Sequence, residues 1–130
     1  MKVIKRAIVK QVLTETSKAE FLKVFTEEKN RYVTECEQLD FERRKALKNQ
    51  DKKNHSSIAA RFNEEIDRRK EKVRSIDFQM EQLKILPLGT EVVEKEIETI
   101  SELKVGDNWK QSSRPAEIVV KDGVVLEIRP

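Results

Sequence analysis

The sequence predicts an α+β fold: a long antiparallel helical coiled-coil hairpin inserted after the first strand of a small β-sheet or barrel that both chain ends build. Three observations predict it. The first 86 residues contain no Gly or Pro, and most of them carry an apolar repeat of three and four. Segments rich in β-branched residues lie at the two ends of the chain. The apolar repeat also mirrors itself about a polar centre. The expected boundaries are 1–14 and 87–130 for the β part, and 15–86 for the hairpin, with its tip near 48–57.

The opening strand is expected over residues 3–13, Val-Ile-Lys-Arg-Ala-Ile-Val-Lys-Gln-Val-Leu, where β-branched side chains favour the pleated backbone. Thr14, Thr16 and Ser17 then offer capping hydroxyls. Ser17 with Glu20 three residues on fits a capping box.

From there the period becomes helical. The seam positions of the first arm are Leu22, Phe25, Lys29, Tyr32, Cys36, Leu39, Arg43 and Ala46. Those of the second are Ala59, Phe62, Ile66, Arg69, Val73, Ile76, Met80 and Leu83. This is the spacing of a coiled-coil seam. The step from Ala46 to Ala59 is 13 residues where an unbroken heptad needs 11, so the seam loses phase between the arms. Leu22 with Leu83, Leu39 with Ile66, and every layer between sum to 105. Antiparallel packing asks for such a relation, and its centre falls in the polar stretch Asn49 to Ser57. A single helix over about 18–86, paired antiparallel with a second copy, makes the same layers between chains. The phase break favours the hairpin. Lys29, Arg43 and Arg69 interrupt the stripe, and their stems can pack while their charges reach water.

Pro87 and Gly89 end the helix. A Glu-rich strand is expected over 90–100 and a further one over 103–109, ending in a turn at Trp109. Residues 118–128 read as a β-hairpin. A three-residue loop, Lys121-Asp122-Gly123, with a Gly123 bulge, places Ile118, Val120, Val124, Leu126 and Ile128 on one face. Lys5, Arg6 and Lys10 are expected across from Glu94, Glu96 and Glu98 as cross-strand pairs.

Composition sets the limits on function. Charged residues make up 39% of the 130, against about 25% in an average domain, and aromatics only 5%. An elongated helical object suits that balance better than a compact ball. Cys36 is the sole cysteine, so no internal disulfide forms, which suits a reducing cytoplasmic compartment. Lys5, Arg6 and Lys10 interrupt any signal-peptide core, and no run of about 18 apolar residues exists to span a membrane. The net charge of +3 is mild, but it is unevenly spread: residues 43–55 carry six Lys or Arg against Asp51 alone.

Three segments resemble the YlqD family of small bacterial proteins: Ile8-Val-Lys-Gln-Val-Leu-Thr-Glu15, Val105-Gly-Asp-Asn-Trp109, and Glu117-Ile-Val-Val-Lys-Asp-Gly-Val-Val-Leu-Glu-Ile-Arg129. Genes of that family tend to lie near genes for ribosome maturation and tRNA modification. The resemblance therefore implies an RNA-related role, and it carries over no functional residue.

No nucleophile–base pair, phosphate loop or metal-ligand spacing is present, so no catalytic, cofactor or metal residue is expected. His55 is the single histidine, in a charged tip. Cys36 is a seam residue opposite Arg69. The function-like feature is the basic tip: Arg43, Arg44, Lys45, Lys48, Lys52 and Lys53 can neutralise phosphates with little sequence preference. No aromatic interleaves them to stack bases. Phe41 and Phe78 face away from the seam and are candidates for a protein interface. Trp109 is expected to cover the sheet edge. The expected function is an RNA- or ribosome-associated binding protein. The competing class is a structural or adaptor protein that binds protein partners or forms a homodimer through the coiled coil.

Overall fold

The computed structural model describes every residue, Met1–Pro130. The elements run β1 (Lys2–Val12), α1 (Glu15–Lys48), a single 3-10 turn (Lys52–Asn54), α2 (His55–Ile85), β2 (Glu91–Glu102), α3 (Trp109–Ser112), β3 (Ala116–Lys121) and β4 (Val124–Arg129). The fold is α+β, with the long helical region lying between strands. The chain divides into a sheet unit, Met1–Ala19 with Leu86–Pro130, and a helical unit, Glu20–Ile85.

In the sheet unit the four strands lie in the order β2-β1-β3-β4. β1 pairs antiparallel with β2 from Lys2↔Glu102 to Val12↔Glu91, with a bulge between Val9 and Lys10. It pairs parallel with β3 from Ala7↔Ala116 to Gln11↔Val120. The first strand of the chain is thus central, which explains why Ala7, Val9 and Leu13 are buried, together with Val119 of β3. The edge strands differ in character. β2 carries Glu94, Glu96, Glu98 and Glu102, charge that discourages pairing with another chain. On β4, Val124, Val125, Leu126 and Ile128 are all more than half exposed.

The entry to α1 is fixed by reciprocal capping. Thr14 Oγ1 accepts from Ser17 N at 3.1 Å, and Ser17 Oγ accepts from Thr14 N at 2.9 Å. The capping box therefore sits three residues earlier than the Ser17–Glu20 expectation, with a buried serine in the place of the usual Glu. Leu13 N donates to Thr90 O at 2.8 Å and Gly89 N donates to Leu13 O at 2.7 Å, which ties the exit of β1 to the entry of β2. Lys18 Nζ adds a bond to the Leu86 carbonyl at 2.8 Å.

Two expectations for the C-terminal part are corrected. Residues 103–109 form no strand. Asp107 accepts from Lys104 N at 2.8 Å in a turn that needs Gly106 at φ 97, and Asn108 then caps α3 by accepting from Gln111 N at 3.1 Å. The β3–β4 turn has two residues, not three. Asp122 (φ 46) and Gly123 (φ 79) are both left-handed, and Lys121 pairs with Val124. This turn matches the native strand twist. The register is then shifted by a bulge between Val119 and Val120, opposite Val125 to Glu127, which sets Ile118 opposite Ile128.

In the helical unit the chain reverses through residues 49–54. Contacts between the two helices run antiparallel: Lys29 to Asp77 at 2.7 Å, Arg69 to Glu35 at 3.1 Å, and Arg43 Nη1 to Asn63 Oδ1 at 2.6 Å. Each of these falls within a residue of the predicted mirror. All sixteen seam positions are buried or half-buried, with Ile66, Ile76 and Leu83 the deepest. The three charges that interrupt the stripe are tied down: Lys29 by Asp77, Arg43 by Asp40 and Asn63, and Arg69 by Glu65 and Glu35. No helix is long and apolar enough to cross a membrane.

Candidate nucleic-acid interface

The last turn of α1, the 3-10 turn and the first turns of α2 bring the basic residues to one end of the helical unit. The structure divides the six predicted residues into two groups. Arg43 and Arg44 both pair with Asp40, Arg44 at 2.7 Å, and Arg43 also donates to Asn63. Their charge is in part already answered. Lys45, Lys48, Lys52 and Lys53 are exposed, and none has a carboxylate within ion-pairing distance. Elsewhere on these helices Arg68, Arg69 and Arg74 are paired with neighbouring Glu residues. Arg61 joins the unpaired group: it is exposed, without a carboxylate, and level with Arg44 by the antiparallel pairing. Sequence reasoning passed over Arg61 because it lies outside the basic run. The mirrored layers are the signal that sets Arg61 level with Arg44.

His55 serves the turn. Its Nε2 lies 3.0 Å from the Gln50 carbonyl, and the side chain is half-exposed. Cys36 points its thiol at the Ile66 carbonyl, 3.8 Å away, and remains half-exposed. The guanidinium expected opposite it is engaged elsewhere. Arg69 is held by Glu65 first and Glu35 second, which raises its pKa, while Arg69 and Arg68 draw Glu65 below the usual carboxylate range.

Phe41 and Phe78 are 67% and 66% exposed, so both are available to a partner. They are not brought together. By the antiparallel pairing Phe78 is level with Glu27, fourteen residues from Phe41 along α1, which is about 21 Å at 1.5 Å per residue. Trp109 is 69% exposed and shares a groove with Val3, Ile4, Lys5 and Arg6, the stretch of β1 that β3 leaves unpaired.

The second charged cluster lies on the sheet. Lys10 pairs with Glu117 at 2.9 Å. Arg129 reaches Glu91 at 2.8 Å, and Glu117 and Glu127 at 3.1 Å each. Glu91 and Arg129 belong to opposite edge strands, so this ion pair reaches across the face of β1 and β3. Lys10, then Arg129, holds the Glu117 carboxyl low; Arg129 does the same for Glu91, and these acids raise Arg129 in turn. Only one of the expected β1–β2 charge pairs forms, Arg6 with Glu96 at a loose 3.7 Å. Lys10 turns to β3 instead, and Lys5 faces Thr99. No group of three or more His, Cys, Asp or Glu side chains is placed to hold a metal ion.

Fold and surface thus define a small α+β protein in which a long helical region is inserted in the chain between strands of a four-stranded sheet. The chain belongs to the YlqD family, whose sequence profile (YlqD protein) matches residues 1–129. It is 42% identical over 129 residues to the uncharacterised protein YlqD of Bacillus subtilis (strain 168), covering 99% of this chain and 98% of that one. Its structure is similar to the crystal structure of a protein of unknown function from Synechococcus sp. WH 8102. The TM-score is 0.87 at 22% identity, over 100% of this chain and 95% of that chain. At that identity the likeness speaks for the fold alone.

Proposed function

We propose that this protein is a cytoplasmic, non-catalytic binding protein that contacts RNA, free or within ribosomal particles, through the basic end of a coiled-coil hairpin. The observation that carries the reading is the cluster of Lys45, Lys48, Lys52 and Lys53, exposed and without carboxylate partners at one end of the helical unit. A lysine that folds without an ion pair keeps its full charge for a polyanion. Phosphate neutralisation then releases counterions, which gives affinity with little sequence preference. Arg61 adds a fifth cation; Arg43 and Arg44 contribute less, because Asp40 competes for them.

Salt titration tests this. The variant with Lys48, Lys52 and Lys53 replaced by Gln keeps the seam, since none of the three occupies it. Binding to ribosomal RNA should weaken alike across sequences. The slope of log affinity against log salt should flatten by up to about 0.7–0.9 per contact removed. Equal affinity and slope in the two proteins would remove the tip from the account. The exposed Phe41 and Phe78 would then support the competing reading, a structural or adaptor protein that meets protein through apolar contacts, which salt weakens little.

A further inference from the structure

We propose that the sheet unit carries a second contact for single-stranded nucleic acid, in which Trp109 stacks on a base and Lys5 and Arg114 take the adjoining phosphates. The proposal rests on the RNA reading and supplies the aromatic surface that the tip lacks.

Three observations point to it. Trp109 stands 69% exposed although its position is fixed, because it is the first residue of a turn capped by Asn108 and braced by the Asp107 carboxylate. It forms one wall of a groove of about 320 Å³, whose other sides include Val3, Ile4, Leu103 and Pro115. That size lies at the lower end of the range for small-ligand clefts, about 300–1,000 Å³. A second cleft of 410 Å³ adjoins the first, sharing Lys5 and Ser112 and reaching Gln111 and Arg114.

The chemistry of the two clefts differs in a way that suits a nucleotide. The first offers an indole face and apolar side chains, a surface for a base. The second offers an ammonium, a guanidinium, two hydroxyls and an amide, donors for a phosphate and a sugar. Lys5 and Arg114 have no carboxylate within ion-pairing distance, and Arg6 beside them is held only by the loose contact with Glu96. An exposed indole between apolar walls and unpaired cations is the combination that single-strand binders use.

Trp109 is the only tryptophan, so its fluorescence reports this site alone. The intact protein is titrated with an oligouridylate octamer and, in parallel, with uridine monophosphate. The octamer should quench the emission saturably, and the monophosphate should bind at least tenfold more weakly. Replacing Lys5 and Arg114 together by Gln should weaken the quenching and lower its salt slope by about 1.4. By fluorescence anisotropy of a labelled octamer, Trp109→Ala should lose about 5- to 150-fold in affinity and Trp109→Phe much less. Absence of saturable quenching overturns the proposal, as does equal affinity for the monophosphate, or an acidic peptide that displaces the octamer at matched charge. The tip variant separates the two readings. Tip-dependent binding without quenching leaves the tip standing and this site refuted; quenching unchanged in the tip variant supports this site whatever the tip does.

Discussion

Arg129 shows how much one residue can hold. It joins both edge strands of the sheet by pairing with Glu91, Glu117 and Glu127, and Lys10 completes the cluster. Arg129 and Lys10 hold the Glu91 and Glu117 carboxyls below their ordinary value, which is near 4.3. Groups with a depressed folded pKa contribute stability above the unfolded value and lose it as pH falls through the folded one. Arg129→Gln should therefore lower stability to urea at pH 7, and the gap from wild type should close as the pH is taken from about 4.5 downward. A gap that stays constant to pH 3 would show that the cluster does not couple to folding. Nothing in the sequence joins Arg129 to Glu91, because the two lie 38 residues apart on strands that are not neighbours. The unpaired lysines of the tip, by contrast, were visible as a basic run. Only the position of Asp40 told them apart from Arg43 and Arg44.

At the scale of elements, the helices obeyed their period and the turns depended on detail. Ile66 is a seam residue at 7% exposure, and truncating it leaves a hole between two helices that have no third element to fill it. Ile66→Ala should cost on the order of 2–4 kcal/mol in urea unfolding. A cost near zero would mean that the seam contributes little to the helical unit. The seam was legible because a three–four spacing survives its interruptions at Lys29, Arg43 and Arg69. The β3–β4 turn was not, because Asp122-Gly123 admits two loop lengths and the bulge that sets Ile118 opposite Ile128 leaves no mark in composition. The cap at Thr14 was missed for a related reason: a serine at the third position makes the same reciprocal bonds as the Glu that the usual pattern demands.

At the scale of the whole molecule, the chain exposes 10,013 Å², where a typical folded monomer of its 15.2 kDa exposes about 7,100 Å². Seven buried apolar residues are shared between two units, three in the helices and four in the sheet. The 39% of charged residues covers the rest. The reversal within one chain can be tested directly. With Cys36→Ser as background, Lys29→Cys and Asp77→Cys replace a 2.7 Å ion pair between the helices. A short bismaleimide should join the two within a single chain, shifting gel mobility without doubling the mass at low protein concentration. Joining only between chains would mean that the pair forms across two copies.

The sequence by itself determined the α+β class and the place of the helical region between strands, since these follow from local periodicity and from residues that stop helices. Family membership was legible in the same way, from segments of contiguous residues. The tertiary structure alone decided that β1 is central and parallel to β3, that Arg129 meets Glu91 across the sheet, and that Trp109 stays mostly exposed. The physical reason is that strand pairing is non-local. A strand's own pattern says which face is apolar, but its neighbours are chosen by the summed packing and hydrogen bonding of segments more than a hundred residues apart, and no local spacing records that choice.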